Sequence, residues 1–229
     1  MIDIHTHILP FIDDGSPSDS ISINMLEECA KQGITDIILT PHYRNAFKLT
    51  PSETEKAFQK FNKKVLEQNL PINLYLGQEI FVEKDYKKVF KENKILTLNN
   101  TKFVLIEFDY FTDQDIVEVV YELKRKGFIS IVAHIERYVS ADLEVALEVK
   151  NLGGYIQVNA ESIVGETKRF YKKFIKKLFK NGLVDFVSSD IHYDRMNYMS
   201  QARRYVEKKF GKQTAEDVFI NNAKMIIEG

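Results

Sequence analysis

The sequence predicts an α/β fold in which about seven strand-helix units close into a barrel. Two patterns indicate this fold. Short apolar, β-branched runs alternate along the whole chain with longer stretches in which apolar residues recur every three to four positions. The apolar runs are nearly continuous in Ile, Val and Leu, which is typical of parallel strands that are covered on both faces.

Each apolar run predicts one strand. The seven predicted strands cover residues 2–5, 36–40, 72–79, 103–107, 128–134, 155–158 and 184–188. The amphipathic stretches between them predict helices, of which the clearest cover residues 52–69, 115–126, 143–152 and 168–180. The sequence contains no linker, internal repeat or low-complexity segment. We therefore expect a single domain over residues 1–229.

Composition excludes several classes of protein. The formal net charge is −1, from 32 Lys and Arg against 33 Asp and Glu, so no overall field attracts nucleic acid or an anionic membrane. The single cysteine, Cys29, excludes an internal disulfide. A cysteine-based phosphatase would need an arginine six positions later, where Thr35 stands. With neither a signal-peptide core nor a transmembrane-length run, a cytoplasmic location without membrane insertion is expected.

The five histidines are each interpreted as lying in or beside a carboxylate-rich patch, a distribution that predicts one metal site. His5 and His7 alternate along the first predicted strand, and a period of two places both imidazoles on one face. Asp190 and His192 repeat this spacing near the end of the chain. Neutral imidazoles and carboxylates hold divalent cations, and clustered cations commonly act on phosphoesters. A metal-dependent phosphoesterase is the first hypothesis.

Polar side chains also mark the ends of the predicted strands. Glu79 and Glu107 each terminate an apolar run, where a buried charge requires a counterion. Salt bridges to lysines are the alternative for either glutamate. The side chains at or just beyond a strand end are His7, His42, Glu79, Glu107, His134 and Asp190. In βα barrels the active site lies at that end, so these residues are expected to meet there.

Several of these motifs resemble the polymerase and histidinol phosphatase (PHP) superfamily, and within it the bacterial protein-tyrosine phosphatases of capsule and exopolysaccharide operons. The resemblance covers essentially the whole chain and implies a distorted TIM-like (β/α)7 barrel of the PHP type. The motifs are His5-Thr6-His7-Ile8-Leu9-Pro10 with Asp13-Asp14-Gly15, Thr40-Pro41-His42, Gly77-Gln78-Glu79, Glu107-Phe108, Ala133-His134-Ile135-Glu136-Arg137 and Ser188-Ser189-Asp190-Ile191-His192.

The resemblance implies a site for three divalent ions. The implied ligands are His5, His7, Glu79 and Asp190 for the first ion, Glu79, Glu107 and His134 for the second, and Asp14, His42 and His192 for the third. Four ligand carboxylates contribute −4 and three cations +6, which leaves +2 to neutralise a phosphoryl dianion. Manganese is the expected metal, and iron, zinc and magnesium also accept mixed nitrogen and oxygen ligands.

Two arginines and a tyrosine complete the predicted site. Arg137 stands three residues after His134 and Arg195 three after His192, so that either guanidinium could clasp phosphate oxygens. Surface salt bridges are the alternative for both, although the resemblance favours Arg137 as a catalytic and substrate-binding residue. Tyr43 follows His42 and could bind substrate at the mouth of the barrel, or could simply pack at the rim.

The expected mechanism is attack by a metal-activated hydroxide in line with the leaving oxygen. The resemblance implies that the hydrolase acts on a phosphotyrosine-containing protein, typically a cognate bacterial tyrosine kinase that controls capsule or exopolysaccharide synthesis. Two alternatives stay open. One is another PHP phosphoesterase such as histidinol phosphatase, and the other is a noncatalytic metal-binding scaffold. The lysine-rich segment 168–180 fits either a solvated outer helix or a docking surface, and the former is favoured.

Overall fold

A computed structural model of the chain describes residues 1–92 and 94–228. Strands and helices alternate through this part of the chain. The strands are β1 (Ile2–Thr6), β2 (Asp36–Leu39), β3 (His42–Tyr43), β4 (Asn73–Leu76), β5 (Glu79–Phe81), β6 (Phe103–Glu107), β7 (Ile129–Val132), β8 (Tyr155–Asn159) and β9 (Phe186–Ser188). The helices are α1 (Asp19–Lys31), α2 (Pro51–Glu67), α3 (Tyr86–Lys91), α4 (Ile116–Arg125), α5 (Leu143–Asn151), α6 (Ala160–Val164), α7 (Arg169–Lys180), α8 (Met199–Phe210), α9 (Lys212–Glu216) and α10 (Asn222–Ile227).

The strand pairings confirm the α/β class, because every pairing between the named strands is parallel. One section of sheet has the order β1-β2-β4, and the other has the order β3-β5-β6-β7-β8-β9. Beyond β9 an isolated bridge pairs Ile191 with Thr6, and the backbone N–H of His7 donates to the carbonyl of Ile191 at 3.0 Å. The last strand therefore lies beside the first, and the sheet is strongly curved.

The predicted strand 72–79 is interrupted, so that it forms β4 and β5. Gly77 lies so close to Leu98 that a Cβ at this position would be 2.5 Å from the leucine Cδ2. The next residue, Gln78, turns its side-chain carbonyl to the backbone N–H of Leu96 at 2.8 Å. These contacts with the segment before β6 lie where the strand is interrupted, between Leu76 and Glu79. After the interruption β5 pairs with β6.

Two apolar clusters pack against the two faces of the sheet. Residues at alternate positions, such as Phe103 and Leu105 on β6, form the smaller cluster on the concave face. Ala223 and Ile226 of α10 join that cluster, so α10 closes the end of the curved sheet opposite to the carboxyl ends of the strands. Val104 and Ile106, which point the other way, join the larger cluster beneath the helices.

The lysine-rich helix α7 has the structure of an outer helix. Ile175, Leu178 and Phe179 are buried in the larger cluster, whereas Lys173 and Lys176 are exposed. This arrangement supports the interpretation of its basic face as solvated surface. Among the described residues no helix has both the length and the apolarity that crossing a bilayer requires.

Candidate metal centre

The nine side chains predicted as metal ligands converge at the carboxyl ends of the strands. Three come from loops that follow strands β7 and β9, and Asp14 comes from the loop before α1. All except Asp14 are buried, and the Asp14 side chain is 51% exposed. The buried ligands are His5, His7, His42, Glu79, Glu107, His134, Asp190 and His192.

The predicted ligands of the first ion form the tightest group. Nε2 of His5 lies 3.2 Å from Nε2 of His7 and 3.2 Å from Oε1 of Glu79. Nε2 of His7 lies 3.4 Å from Oδ1 of Asp190. Ligands bound at about 2.1 Å to one ion stand roughly 3.0 to 3.4 Å apart, so this spacing is that of a coordination shell.

Glu79 extends from this group toward a second one. Its Oε1 atom lies 2.9 Å from Nε2 of His134, and its Oε2 atom lies 2.8 Å from Nδ1 of His42. Glu107 approaches both rings, with carboxylate oxygens 3.7 Å from each. Glu79 therefore belongs to two neighbouring groups of candidate ligands. His42 faces the second group as well as the third, which the sequence did not indicate.

The third predicted group lies nearest to solvent. Oδ1 of Asp14 is 3.5 Å from Nε2 of His42 and 3.6 Å from Nε2 of His192. Nitrogens of His7, His42 and His192 also come together within 4.8 Å of one another. The third group therefore shares His7 with the first, and the cluster is continuous.

Four of the five imidazoles are oriented by a partner on Nδ1, which directs Nε2 into the cluster. This arrangement of an outer hydrogen bond behind a ligating nitrogen is typical of metal-binding histidines. The partners are Oε1 of Gln157 for His5 (3.3 Å), Oδ2 of Asp13 for His7 (2.8 Å), the hydroxyl of Tyr138 for His134 (3.1 Å) and the carbonyl of Asp190 for His192 (3.1 Å).

Sequence reasoning missed most of these orienting residues. Gln157 accepts hydrogen bonds near two ligands, because its Oε1 also accepts the backbone N–H of His134 at 2.7 Å. Asn159, two positions later on β8, donates to Oδ2 of Asp190 at 2.9 Å. A polar residue at alternate positions of an otherwise apolar strand was the available signal. For Tyr138 the sequence contained no comparable signal.

The charges and unpaired atoms of the site fit divalent cations. The buried Oε2 atoms of Glu79 and Glu107 and Nδ1 of His42 make no hydrogen bond with suitable angles among the described residues, although Glu79 Oε2 lies only 2.8 Å from His42 Nδ1. Burial and the neighbouring Glu79 raise the pKa of Glu107 to about 8. Burial lowers the pKa of His134 to about 4, which keeps this ring neutral and able to ligate. Cations would partner the unpaired atoms and relieve the repulsion between the carboxylates.

Two residues of the cluster have backbone conformations that non-glycine residues rarely adopt. His134 has a φ of 27° and Asp190 a φ of 51°. Such conformations cost of order 1 to 3 kcal/mol each and are commonly found at functional sites. Gln157, which accepts the backbone N–H of His134, and Asn159, which donates to the Asp190 carboxylate, hold the two residues in place. The surrounding polar network therefore stabilises geometry that the local sequence would not choose.

Three arginines border a pocket of about 380 Å³ above the cluster. Arg137 is held on both sides, with Nη2 at 2.5 Å from Oε1 of Glu161 and Nη1 at 3.0 Å from Oδ2 of Asp190. Arg195 is 3.6 Å from the same Asp190 oxygen, and its side chain is 39% exposed. The third is Arg44, which contacts Asp14 at 3.2 Å. Both predicted arginines thus lie at the pocket, and Arg44 joins them.

Tyr43 does not reach this pocket, which contradicts the prediction that it binds substrate there. Adjacent residues of a strand point to opposite faces, so Tyr43 points away from the side on which His42 lies. It is buried and lines a different cavity of about 310 Å³, together with Lys48 and Pro51. Tyr43 is therefore a packing residue of the rim.

The fold and the site together define a class: parallel α/β proteins with a cluster of nitrogen and oxygen side chains that could bind metal at the carboxyl ends of the strands. Comparison with known proteins is more specific. The chain belongs to the CpsB/CapC family of capsular polysaccharide synthesis, which it matches over residues 1–228.

Curated relatives in this family are named tyrosine-protein phosphatases. The chain is 32% identical over 233 residues to YwqE of Bacillus subtilis (strain 168), covering 99% of this chain and 91% of the relative. It is 35% identical over 242 residues to CpsB of Streptococcus agalactiae serotype III (strain NEM316), covering 100% of this chain and 98% of the relative.

A solved structure from this group of relatives has a closely similar fold. It comes from work on YwqE of Bacillus subtilis and CpsB of Streptococcus pneumoniae, described as unique metal-dependent tyrosine phosphatases. The TM-score is 0.91 at 32% identity, with 100% of this chain and 94% of the other covered. The family predicted from the motifs is thereby confirmed.

Proposed function

We propose that this chain is a metal-dependent protein-tyrosine phosphatase, a phosphoric monoester hydrolase that releases inorganic phosphate from phosphotyrosine. The observation that carries the proposal is the convergence of nine nitrogen and oxygen ligands beneath a pocket bordered by three arginines. Such a pocket suits a dianionic phosphoryl group, and the named relatives favour phosphotyrosine over histidinol phosphate as its source.

The site would hold three divalent ions, with manganese as the first candidate. The first would bind His5, His7, Glu79 and Asp190, the second Glu79, Glu107 and His134, and the third Asp14, His42 and His192. Bound cations at such a site lower the pKa of coordinated water and neutralise phosphoryl oxygens. Distances of 2.9 to 3.7 Å between these side chains, and the buried carboxylate oxygens that make no hydrogen bond, support this assignment.

The chain's own residues would bind and orient the phosphoryl group. Arg137 is fixed by Glu161 and Asp190, so its guanidinium is oriented before substrate arrives. Arg195 is more exposed, lies near the same Asp190 oxygen as Arg137, and would contribute a second guanidinium. In the reaction, water oxygen bonds to phosphorus and the bond to the tyrosyl oxygen breaks. A phenol has a pKa of about 10, so the leaving phenolate can take its proton from solvent.

The substrate would be a phosphotyrosine-bearing bacterial tyrosine kinase, and the phosphatase would thereby regulate capsule or exopolysaccharide synthesis. Membership of a capsular polysaccharide synthesis family supports this pathway. We further propose that residues 1–229 form one domain, and that the two sheet sections complete a distorted (β/α)7 barrel through the bridge between Thr6 and Ile191. The cytoplasmic location stays a prediction.

The test is phosphate release from a phosphotyrosine peptide by metal-stripped protein, with and without added Mn²⁺. His42→Ala and Arg137→Ala are compared with wild type, and Arg125→Ala, a change on the exposed face of α4, is the matched control. Manganese-dependent release that is lost in the first two variants and kept in the control supports the proposal. Release from histidinol phosphate alone would retain the metal chemistry and refute the substrate. No release from any phosphoester would leave a noncatalytic metal-binding protein.

A further inference from the structure

We propose that Phe81, Tyr110 and Phe111 form an aryl-binding subsite, which holds the ring of an aromatic phosphoester while its phosphoryl group occupies the arginine-lined pocket. The inference deepens the proposed function and rests on it for the identity of the natural substrate. The subsite itself is a binding surface, and it can be tested without turnover.

The pocket is lined by two chemically different kinds of side chain. Arg44, Arg137 and Arg195 are basic, whereas Phe81 at the end of β5 and Tyr110 and Phe111 after β6 form an aromatic wall. An aryl phosphate has the same division, with a dianionic end and a flat apolar end. A phosphorylated serine has no group that could use the aromatic wall. The pocket is therefore more complementary to an aryl than to an alkyl phosphoester.

Phe111 is the main observation. Phe111 is 78% exposed, which is the largest exposed fraction among the large apolar residues that the structure describes. None of those other exposed residues lines the pocket. An exposed aromatic ring beside concentrated charge is typical of a contact surface for an apolar ligand group.

Hydrogen bonds hold the loop that presents this ring. Oδ1 of Asp109 accepts the backbone N–H groups of Phe111 at 2.8 Å and of Thr112 at 2.9 Å. The backbone N–H of Asp109 in turn donates to Oε1 of Gln114 at 2.8 Å. The turn is therefore fixed at both ends, and little conformational freedom is left for a ligand to remove.

Tyr110 connects the aromatic wall to the metal centre. Its hydroxyl donates to Oε1 of Glu107 at 2.9 Å, and its ring packs edge-to-face on Phe111 with centroids 6.3 Å apart. The guanidinium carbon of Arg137 lies over the Tyr110 ring, 5.8 Å from its centroid. The aromatic wall thus has a fixed position relative to the phosphoryl-binding groups, which sets the distance between a bound phosphate and a bound ring.

The experiment is calorimetric binding of phenylphosphonate and methylphosphonate, neither of which is hydrolysed, to the metal-reconstituted protein. Wild type is expected to bind phenylphosphonate about tenfold more tightly than methylphosphonate. Phe111→Ala should lose most of this preference without changing the affinity for methylphosphonate. Phe111→Tyr should retain it. Phe170→Ala removes another exposed ring, on α7, and should behave as wild type.

The inference is overturned if wild type binds the two phosphonates equally, if phenylphosphonate does not bind, or if Phe111→Ala keeps the full preference. Phosphotyrosine turnover measured on the same preparations separates this failure from failure of the proposed function. If wild type hydrolyses phosphotyrosine but Phe111→Ala keeps the full preference for phenylphosphonate, the subsite is refuted and the phosphatase activity is not. If wild type does not hydrolyse phosphotyrosine but Phe111→Ala loses the preference for phenylphosphonate, the phosphatase activity is refuted and the subsite is not.

Discussion

Asp13 fixes the ring of His7: its Oδ2 atom accepts the Nδ1–H group at 2.8 Å, and both side chains are buried. The same oxygen accepts the backbone N–H of His42 at 2.9 Å, and Oδ1 accepts that of Gly15 at 2.9 Å. Burial alone would raise the pKa of Asp13, but His7 holds it well below its ordinary value. One carboxylate therefore orients one predicted ligand and anchors the backbone of a second.

Removing this carboxylate should weaken metal binding. In Asp13→Ala we expect the affinity for Mn²⁺ to fall about 10- to 100-fold, because the His7 ring loses its orienting partner. Calorimetric titration of metal-stripped protein measures the effect. Asp113→Ala, at an exposed position, is the matched control and should bind Mn²⁺ as wild type does. An unchanged affinity in Asp13→Ala would show that His7 needs no such partner.

Arg137 should not tolerate lysine. Its guanidinium contacts Glu161 and Asp190 at once, and a single ammonium cannot do so and also present a planar fork to phosphate. We expect kcat in Arg137→Lys to fall about 100-fold on a phosphotyrosine peptide. Arg125→Lys, on the surface of α4, should keep its full rate. Near-normal kcat in Arg137→Lys, in a protein that binds metal normally, would exclude the bidentate role.

The metal-free protein should lose stability as pH rises. Burial and Glu79 raise the folded-state pKa of Glu107 from 4.5 to about 8. Since the folded state binds this proton more tightly, its contribution to stability is fully present below about pH 4.5 and is lost as pH rises through 8. We expect the thermal midpoint of chelator-treated wild type to fall across this window.

A comparison with Glu107→Gln isolates that effect. The variant lacks the titrating carboxyl, so its midpoint should fall less than that of wild type between pH 5 and about pH 8. With saturating Mn²⁺ the wild-type decline should shrink, because cations replace the proton. If the thermal midpoints of the two metal-free proteins fell in parallel with pH, ionisation of Glu107 would not destabilise the folded state.

Gly15 should not accept a side chain. A Cβ at this position would lie 2.1 Å from the carbonyl oxygen of His7 and 2.3 Å from its Cβ. We expect Gly15→Ala to be destabilised by roughly 1 to 3 kcal/mol and to bind Mn²⁺ more weakly, since the loop that carries Asp13 and Asp14 must move. Chemical denaturation and metal titration measure both effects. Pro17→Ala, exposed in the same loop, is the control. Wild-type values in Gly15→Ala would show that the loop adapts freely.

Much of the fold could be predicted because its strands are apolar and end in polar residues. β6 covers the predicted residues 103–107, where four apolar side chains precede Glu107. Helices α4, α5 and α7 begin and end within one residue of their predicted bounds. The division of residues 72–79 into β4 and β5 could not be predicted, because it depends on Leu96 and Leu98, which lie outside the strand.

The sequence by itself determined which side chains meet at one end of the sheet, because the type of residue at each strand end carries that information. The tertiary structure alone decided which partners orient them and how far apart they lie. Ile4 lies in the concave cluster, and His5, one residue later, contacts Gln157 of β8, in the part of β1 where the pairing with β2 shifts register between Asp3 and Thr6. Register and long-range packing set the face that a strand residue presents. Alternation along β3 turns Tyr43 away from the pocket, whereas only the folded sheet brings Gln157 to His5 from 152 positions away.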